Sequence, residues 1–318
     1  MTASTTRRTA AKSRIAAVGA IAVAGTMLLT ACGDQTNSDT PKKEGGSENS
    51  APLFAKLPAD IQKAGVIKVG TDATYAPMEI KQGEKIVGVD PDIAAALGKQ
   101  LGVSFEFTSG TFDTLLGALP TGRYDVVMSS MSDTKARQEG LDSKGKKTGT
   151  GVDFVDYFTA STGILVKKGN PEGIKSVDDL CGKKLAVQRG TTYETAAKNL
   201  SAKCATDGKA KISIEAFPTD AEAQTRVKSG GAVADLNDSP VAAYIAKSAG
   251  GGNDFEAIAN KGDAGPFGIA VDKKNTQLRD ALQAAVDAII ADGTYKAALD
   301  KWGAGDGAVT KAVVNGGS

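Results

Sequence analysis

The stretch VMSSMSDTKAR, Val127–Arg137, places three serines, an aspartate and a threonine after an apolar run and ends on an arginine. Hydroxyl groups beside a guanidinium suit a nucleophile loop, a phosphate cradle, a receptor for a carboxylate, or a polar turn that binds nothing. The planar guanidinium presents a fork of N–H groups that matches the two oxygens of a carboxylate. The rest of the chain has to decide among these four interpretations.

Histidine is absent from all 318 residues. A Ser-His-Asp triad, a histidine-paired thiolate and a histidine-ligated zinc site are therefore excluded. No glycine-rich phosphate loop surrounds the serines of Val127–Arg137. Carboxylates and Ser-Lys pairs could still catalyse a reaction without histidine, but we expect a protein that is not an enzyme and that has no metal site and no cofactor.

The first 31 residues are typical of a processing segment, because four basic residues precede the apolar run Ile15–Leu29. The run ends in Leu29-Thr30-Ala31-Cys32-Gly33, which resembles the lipobox of bacterial lipoproteins. The resemblance implies cleavage before Cys32, lipidation of Cys32 and an anchor on the outer face of the cell membrane. The alternative is an ordinary secretory signal. Residues 32–51 are small and polar and predict a flexible tether.

Removal of residues 1–31 changes the formal charge from +1 to −3, because this segment contains four basic residues and no acidic residue. The basic surface that nucleic-acid binding requires is therefore not expected. Cys181 and Cys204 remain as an even pair in an exported chain, which predicts a disulfide worth about 3 kcal/mol. A free pair of thiols is the alternative.

Predicted strands and helices alternate along the folded part, which indicates an α/β fold with parallel strands and ligands at the strand carboxyl ends. The predicted strands cover 66–69, 104–107, 124–128, 163–166, 185–188, 212–215, 234–237 and 268–271. The predicted helices cover 91–101, 112–119, 193–200, 221–228 and 241–249, followed by a long helix through 278–290 and a last helix through 295–302. This rhythm occurs twice and suggests two lobes.

Several separated motifs resemble the bacterial extracellular solute-binding proteins of the polar amino-acid type, family 3, which are receptors of ABC importers. The motifs are GTDATYAP (70–77), GVDPDI (88–93), SSMSDTKAR (129–137), VQRGTT (187–192), NDSP (237–240) and DGTY (292–295). The similarity covers roughly 61–303. Its motifs are weak singly and specific in their order and spacing.

The resemblance implies an α/β, two-lobe, periplasmic-binding-protein-like (Venus-flytrap) fold of type II with two hinge segments. Lobe 1 would take 52–158 plus 264–303, and lobe 2 would take 162–260. The hinges would lie near 159–161 and 261–264, and 304–318 would be a flexible tail. A free amino acid would bind between the lobes of a monomer and be delivered to an ABC permease.

The resemblance implies which two residues bind the two charged groups of an amino acid ligand. Arg137 matches the family position that holds the ligand's α-carboxylate, and Asp238 is the natural counter-ion for the α-ammonium. The alternatives are a surface arginine that ends a turn and an aspartate that caps a helix. On opposite lobes, Arg137 and Asp238 would let a zwitterion bridge the cleft.

Four hydroxyl residues would complete the receptor. Ser130 and Ser132 match family positions that contact the ammonium. Thr191 and Thr192 stand at a predicted helix start, where a hydroxyl and backbone N–H groups can bind the carboxylate. Helix capping is the alternative for both threonines.

The side-chain pocket is expected to use Asp72, Tyr75 and Phe112. The two rings could hold an aliphatic stem or a cation, and Asp72 could accept a terminal ammonium, guanidinium or amide. A turn carboxylate is the alternative for Asp72. Because no cation occupies the expected pocket positions, we favour a basic amino acid or glutamine over glutamate or aspartate.

Two features depart from the family pattern. Residues 142–151 form an apparent insertion that we expect to be a solvated loop, and Asp235 stands where an apolar strand residue is expected. Asp235 leaves the register of the strand before Asp238 in doubt. The competing functions are an amino-acid-sensing lipoprotein without transport and, less favoured, an enzyme of the same fold.

Overall fold

The computed structural model describes residues 51–142, 145–260 and 264–318. The predicted signal peptide, the predicted lipidation site Cys32 and the tether up to residue 50 lie outside the described residues, as do residues 261–263 of the predicted second hinge. Within the described ranges, no helix has both the length and the apolar character needed to cross a bilayer.

The described elements alternate between strands and helices. The strands are β1 (Val66–Thr71), β2 (Thr74–Tyr75), β3 (Glu79–Gln82), β4 (Lys85–Val87), β5 (Ser104–Ser109), β6 (Val126–Val127), β7 (Val152–Ala160), β8 (Thr162–Lys167), β9 (Lys184–Gln188), β10 (Ser213–Phe217), β11 (Ala234–Asp238), β12 (Phe255–Ala259), β13 (Gly265–Asp272) and β14 (Ala308–Val314). The helices are α1 (Ala59–Ala64), α2 (Val89–Leu101), α3 (Phe112–Ala118), α4 (Lys135–Glu139), α5 (Thr192–Thr206), α6 (Asp220–Lys228), α7 (Ser239–Ser248), α8 (Thr276–Ala291) and α9 (Thr294–Trp302).

The strands form two main sheets and one small sheet. The first sheet has the order β14-β7-β13-β6-β1-β5, the second has the order β10-β9-β11-β8-β12, and β2-β3-β4 form the third. The chain passes from the first sheet to the second at Ser161, between β7 and β8, and returns between β12 and β13. This mixed α/β architecture is the two-lobe arrangement that the sequence predicted.

The prediction of parallel pairing was only partly correct. β1 pairs with β5 and β6 in parallel, and β9 pairs with β10 and β11 in parallel. However, β7 is antiparallel to β13 and β14, and β8 is antiparallel to β11 and β12. The antiparallel strands include the four that flank the two passages between sheets, which are β7, β8, β12 and β13.

Apolar stripes on the helices cover the sheets. The predicted α2 stripe, Ile93, Leu97 and Leu101, is fully buried together with Leu282 and Val286 of α8. Burying such side chains contributes about 1.5–3 kcal/mol each. A separate apolar cluster lies in the second sheet, where Cys204 of α5 forms the predicted disulfide with Cys181.

The prediction of a flexible tail at 304–318 was wrong, because these residues include strand β14. Residues 308–314 pair with β7 at the edge of the first sheet, and Ala312 is 5% exposed. Long-range backbone pairing therefore orders the segment that we predicted to be flexible. In the predicted insertion, residues 145–150 are exposed, as expected of a solvated loop.

Candidate functional site

One cavity collects all nine residues that the sequence singled out for ligand binding. About 310 Å³ of space that no protein atom occupies, part of it open solvent, lies among its lining residues. The nine predicted lining residues are Asp72, Tyr75, Phe112, Ser130, Ser132, Arg137, Thr191, Thr192 and Asp238. The lining residues that sequence reasoning missed are Glu79, Ser129, Gln188 and Tyr193.

Strand ends and helix starts from both sheets position these side chains. Asp72 directly follows β1, Ser129 and Ser130 follow β6, and Asp238 is the last residue of β11. Thr192 is the first residue of α5, which begins shortly after β9. The cavity therefore lies at the strand carboxyl ends, where the alternation of strands and helices predicted a ligand site.

Direct hydrogen bonds join the two sides of the cavity. Gln188 Nε2 donates to Asp72 Oδ2 at 2.6 Å, and Arg137 Nη2 donates to the carbonyl of Gly190 at 3.1 Å. The hydroxyls of Ser132 and Thr192 are 3.4 Å apart. In this structure the two lobes are closed on each other.

Arg137 is held on two sides by carbonyl groups. Nη1 donates to the carbonyl of Ser132 at 2.8 Å, and Thr134 caps α4 by accepting from the backbone N–H of Arg137 at 3.3 Å. The guanidinium carbon lies 5.6 Å from the centre of the Phe112 ring. Desolvation lowers the pKa of Arg137 to about 10, so the group is still a cation at neutral pH. The arrangement leaves a fixed guanidinium at the cavity wall, which suits a planar anion.

Asp238 precedes α7 but its side chain makes no capping bond to that helix. Its carboxylate instead accepts from the hydroxyl of Tyr75 at 2.6 Å and from the hydroxyl of Tyr193. The backbone N–H of Asp238 donates to the Tyr75 hydroxyl at 2.9 Å. Burial raises the pKa of Asp238 to about 7, although both tyrosine hydroxyls act in the opposite direction. Asp238 is thus a buried carboxyl that titrates near neutral pH.

Asp72 lies at the other end of the cavity and is 2% exposed. It accepts from the hydroxyl of Thr74 at 2.8 Å and from Gln188 across the cleft. Its pKa is raised because burial outweighs these hydrogen bonds. Any cation that replaced the Gln188 amide would favour the ionised form of Asp72.

A second pair of buried carboxyls, Glu79 and Asp90, lies on the lobe 1 side. Ser129 Oγ donates to Glu79 Oε1 at 2.9 Å, and Tyr157 donates to Asp90 Oδ1 at 2.6 Å. Burial and the negative charge of Asp90 raise the pKa of Glu79 well above its usual range. Burial also raises the pKa of Asp90, to about 6. The buried surroundings of Glu79 therefore favour its protonated form.

Ser130 has an unusual backbone that points to a ligand role. Its φ of 46° lies in the left-handed region, which non-glycine residues rarely adopt. The backbone N–H of Ser130 donates to Asp90 Oδ2 at 3.1 Å and holds this conformation. Within the described residues, the buried hydroxyl of Ser130 has no hydrogen-bond partner, so it is available to a ligand.

The capping alternative applies to Thr191. Its hydroxyl accepts from the backbone N–H of Glu194 at 3.1 Å and donates to the carbonyl of Gln188 at 2.7 Å. Its side chain is therefore engaged in starting α5. Thr192, one residue further, faces Ser132 across the cleft.

Asp235 is buried within β11, and Asp238 is the last residue of the same strand. Asn237 Nδ2 donates to Asp235 Oδ2 at 3.2 Å. Burial and the nearby charge of Asp220 raise the pKa of Asp235 well above its usual range. A neutral carboxylic acid can occupy this position, which explains how the strand keeps its register.

The missed lining residues had partial signals in the sequence. Ser129 and Gln188 are within quoted motifs, and Tyr193 directly follows one. Glu79 lies two residues beyond the loop 70–77, and no motif pointed to it. No cluster of three or more potential metal-ligating side chains is found in ranges 51–142, 145–260 and 264–318.

The two-lobe fold and the polar cleft define a class of receptor for small solutes. The chain matches the bacterial extracellular solute-binding proteins, family 3, over residues 67–305, and it belongs to this family. The arginine-binding protein ArgT of Corynebacterium glutamicum is 28% identical over 299 residues, which cover 92% of this chain and 93% of ArgT.

Solved structures agree with this assignment. The ancestral amino acid-binding protein AncCDT-1, a precursor of cyclohexadienyl dehydratase, is 39% identical with a TM-score of 0.65, covering 76% of this chain and 97% of its own. An ancestral arginine-binding protein, solved with glutamine bound, is 36% identical with a TM-score of 0.64, covering 76% of this chain and 98% of its own. The relatives of this chain are thus amino-acid-binding proteins.

Proposed function

We propose that this protein is the substrate-binding lipoprotein of an ABC importer and captures a polar amino acid with a basic side chain, or glutamine, for delivery to a membrane permease. The observation that carries the proposal is the placement of Arg137 and Asp238 on opposite sides of one cavity. A zwitterion would place its carboxylate on Arg137 and its ammonium on Asp238. Both contacts form only when the lobes are closed, so binding favours closure.

The charges of the lining favour a cationic side chain. Within the described lining, Arg137 is the basic residue, and a bound cation would favour the ionised forms of Asp72 and Asp238. Once Arg137 and Asp238 hold the zwitterion, Asp72 is left to accept from a guanidinium, an ammonium or an amide. An acidic side chain would meet Asp72 and lose affinity through repulsion.

A thermal-shift screen of the mature protein against the common amino acids tests the proposal. A ligand present at 100 times its Kd stabilises the folded state by about 2.7 kcal/mol. We expect arginine, lysine or glutamine to raise the melting temperature most. The proposal fails if no amino acid stabilises the protein, and the ligand preference fails if glutamate or aspartate stabilises it best.

The lipid anchor is part of the same proposal, and Cys32 is the residue that would carry it. In the native host, a Cys32→Ser variant should move from the membrane fraction to the medium or the periplasm. Equal membrane retention of the variant would refute lipidation as the anchor. Reduced uptake of the cognate amino acid in a deletion strain would support transport over sensing alone.

A related enzyme activity is the second candidate, because the relative AncCDT-1 is described as a precursor of a dehydratase and because burial raises the pKa of Asp238 to about 7. A carboxyl with such a pKa could act as a general acid or base. Prolonged incubation followed by mass spectrometry distinguishes the two functions. Quantitative recovery of the unchanged amino acid supports binding alone for that compound.

A further inference from the structure

A short segment beyond the family match packs against the loop that presents Arg137. The match ends at residue 305, whereas β14 continues along β7 to Val314. Asn315 then turns the chain with a φ of 54°. Its side chain accepts from the backbone N–H of Phe154 at 2.8 Å and donates to Asp153 Oδ1 at 3.0 Å. We call residues 315–317 the strap.

The two glycines of the strap bind two buried carboxyls. The backbone N–H of Gly316 donates to Asp156 Oδ2 at 3.0 Å, and that of Gly317 donates to Asp133 Oδ2 at 2.8 Å. Asp133 and Asp156 are 3% and 4% exposed, so each of these N–H groups replaces water that the carboxyl has lost. Hydrogen bonds to buried charged groups contribute more than bonds between neutral groups.

Gln138 completes the connection to the arginine helix. Its Nε2 donates to Asp133 Oδ1 at 2.7 Å and to the carbonyl of Gly317 at 3.2 Å. Asp133 follows Ser132, whose carbonyl accepts from the guanidinium of Arg137, and Gln138 directly follows Arg137. The strap thus holds the residues on both sides of Arg137.

The strap backbone lies so close to Asp133 and Asp156 that only glycine fits at residues 316 and 317. A Cβ at residue 317 would lie 2.1 Å from the carbonyl oxygen of Asp133, and a Cβ at residue 316 would lie 2.6 Å from Asp156 Oδ2. Any side chain at residue 317 would push Asp133 and its loop away from the strap. A Cβ at Gly305, by contrast, would meet Asp300 Oδ1 at an ordinary 3.7 Å.

We propose that the strap positions Arg137, holding the loop 132–138 so that the guanidinium faces the carboxylate of a bound amino acid. This inference rests on the proposed function. The strap does not touch the ligand, so its residues are positioning residues. Its effect on affinity is therefore transmitted through Arg137.

Calorimetric titration with the amino acid that the screen selects tests this role in the full chain. Gly317→Ala should weaken binding by about tenfold, which corresponds to about 1.4 kcal/mol, because the guanidinium would lose alignment with the carboxylate. Gly305→Ala is the matched control and should bind as the wild type does. Near-wild-type affinity of a folded Gly317→Ala protein would overturn the proposal.

A double-mutant cycle separates positioning from a general loss of stability. If the strap acts through Arg137, Gly317→Ala should cost little further affinity in an Arg137→Lys background. An equal loss in both backgrounds would refute transmission through Arg137. Should Gly317→Ala fail to fold, Asn315→Gly loosens the strap without a clash and should weaken binding in the same direction by about threefold, which is about half of the tenfold effect on the free-energy scale.

Hydrogen exchange supplies a measurement that needs no ligand. Peptides covering 133–139 should exchange faster in Gly317→Ala than in the wild type and in Gly305→Ala. Unchanged exchange in this region would contradict the strap. If the wild type binds no amino acid, the proposed function is wrong, and the exchange result still decides whether the strap holds the loop.

Discussion

Replacing Asp238 by asparagine removes one charge from the cavity while keeping the shape of the side chain. In the wild type, the carboxylate should pair with the ligand's ammonium, and charged hydrogen bonds contribute roughly 1.5–3 kcal/mol. At pH 8, where Asp238 is largely ionised, Asp238→Asn should therefore weaken binding by roughly 10- to 150-fold. The hydroxyls of Tyr75 and Tyr193, which now donate to the carboxylate, can still donate to the amide oxygen.

The pH dependence of binding makes this prediction sharper. Because burial raises the pKa of Asp238 to about 7, the carboxyl is mostly protonated at pH 6 and must lose its proton to receive an ammonium. Each pH unit below the pKa costs about 1.4 kcal/mol, or a factor of about ten in Kd. Because Asp238 is about half ionised at pH 7 and about one-tenth ionised at pH 6, the wild-type Kd should rise roughly fivefold between these two pH values, while the Kd of Asp238→Asn stays nearly constant.

Calorimetric titration at pH 6, 7 and 8 measures both effects, because a free amino acid remains a zwitterion over this range. Asp235→Asn is the matched control: it makes the same chemical change three residues earlier, at a buried carboxyl that does not line the cavity and whose pKa is raised by burial. This control should keep the wild-type affinity and the wild-type slope. A flat wild-type profile, or the same slope in Asp238→Asn, would refute the role of Asp238 as the titrating counter-ion.

Three further predictions follow from the same cavity and its carboxyls. Arg137→Ala should cost more than about 2 kcal/mol of binding and Arg137→Lys less, because lysine keeps the charge and loses the fork; near-wild-type titration of Arg137→Ala would contradict the site. Asp72→Asn should weaken arginine and lysine binding about tenfold or more while sparing glutamine, and an equal loss for all three in competition titrations would exclude Asp72 as the side-chain receptor. The free energy of unfolding should rise by about 2 kcal/mol or more from pH 8 to pH 5.5. The reason is that raised pKa values make the folded state bind more protons than the unfolded chain does. This stabilisation is lost as the pH rises through the pKa values of the folded state. The carboxyls responsible have pKa values of about 6 to 7 and are Asp90, Asp156, Asp220 and Asp238. Urea unfolding at pH 8 and at pH 5.5 shows directly whether the free energy of unfolding rises or falls.

The residues around the cavity could be predicted because short motifs stand where strands end and helices begin. Arg137 and Asp238 are more than 100 positions apart, yet each follows a predicted strand of its own lobe, and ligand sites of α/β sheets lie at the strand carboxyl ends. The family resemblance supplied the expectation that the two lobes face each other across the site. Local pattern could not reveal Gln188 as a partner of Asp72, because that contact exists only when the lobes close. It also could not separate capping from ligand binding at Thr191.

The errors in the fold have a common physical origin. The residues of β14 are AVTKAVV, followed by asparagine and glycine, and four of these seven residues are β-branched, which favours a strand. The prediction of a flexible tail overlooked this local signal. The order of β14 comes from pairing with β7, about 150 positions earlier, which no local pattern encodes. The antiparallel pairs of β7 and β8 were missed for the same reason, since pairing direction depends on the path of the whole chain.

The hydrogen bond between Tyr75 and Asp238 crosses the cleft of the closed form, since Tyr75 lies in β2 and Asp238 lies in β11. It joins two side chains of the protein itself. A receptor whose own side chains favour closure loses less free energy when a ligand closes it, so it binds more tightly. The same bond raises the closed population of the empty receptor. A transporter that recognises the closed form would then also respond to the empty receptor. The difference in transporter activity between low and high amino-acid concentrations would become smaller. Tyr75→Phe should enlarge this difference, because it lowers the closed population of the empty receptor. The same substitution should also weaken ligand binding.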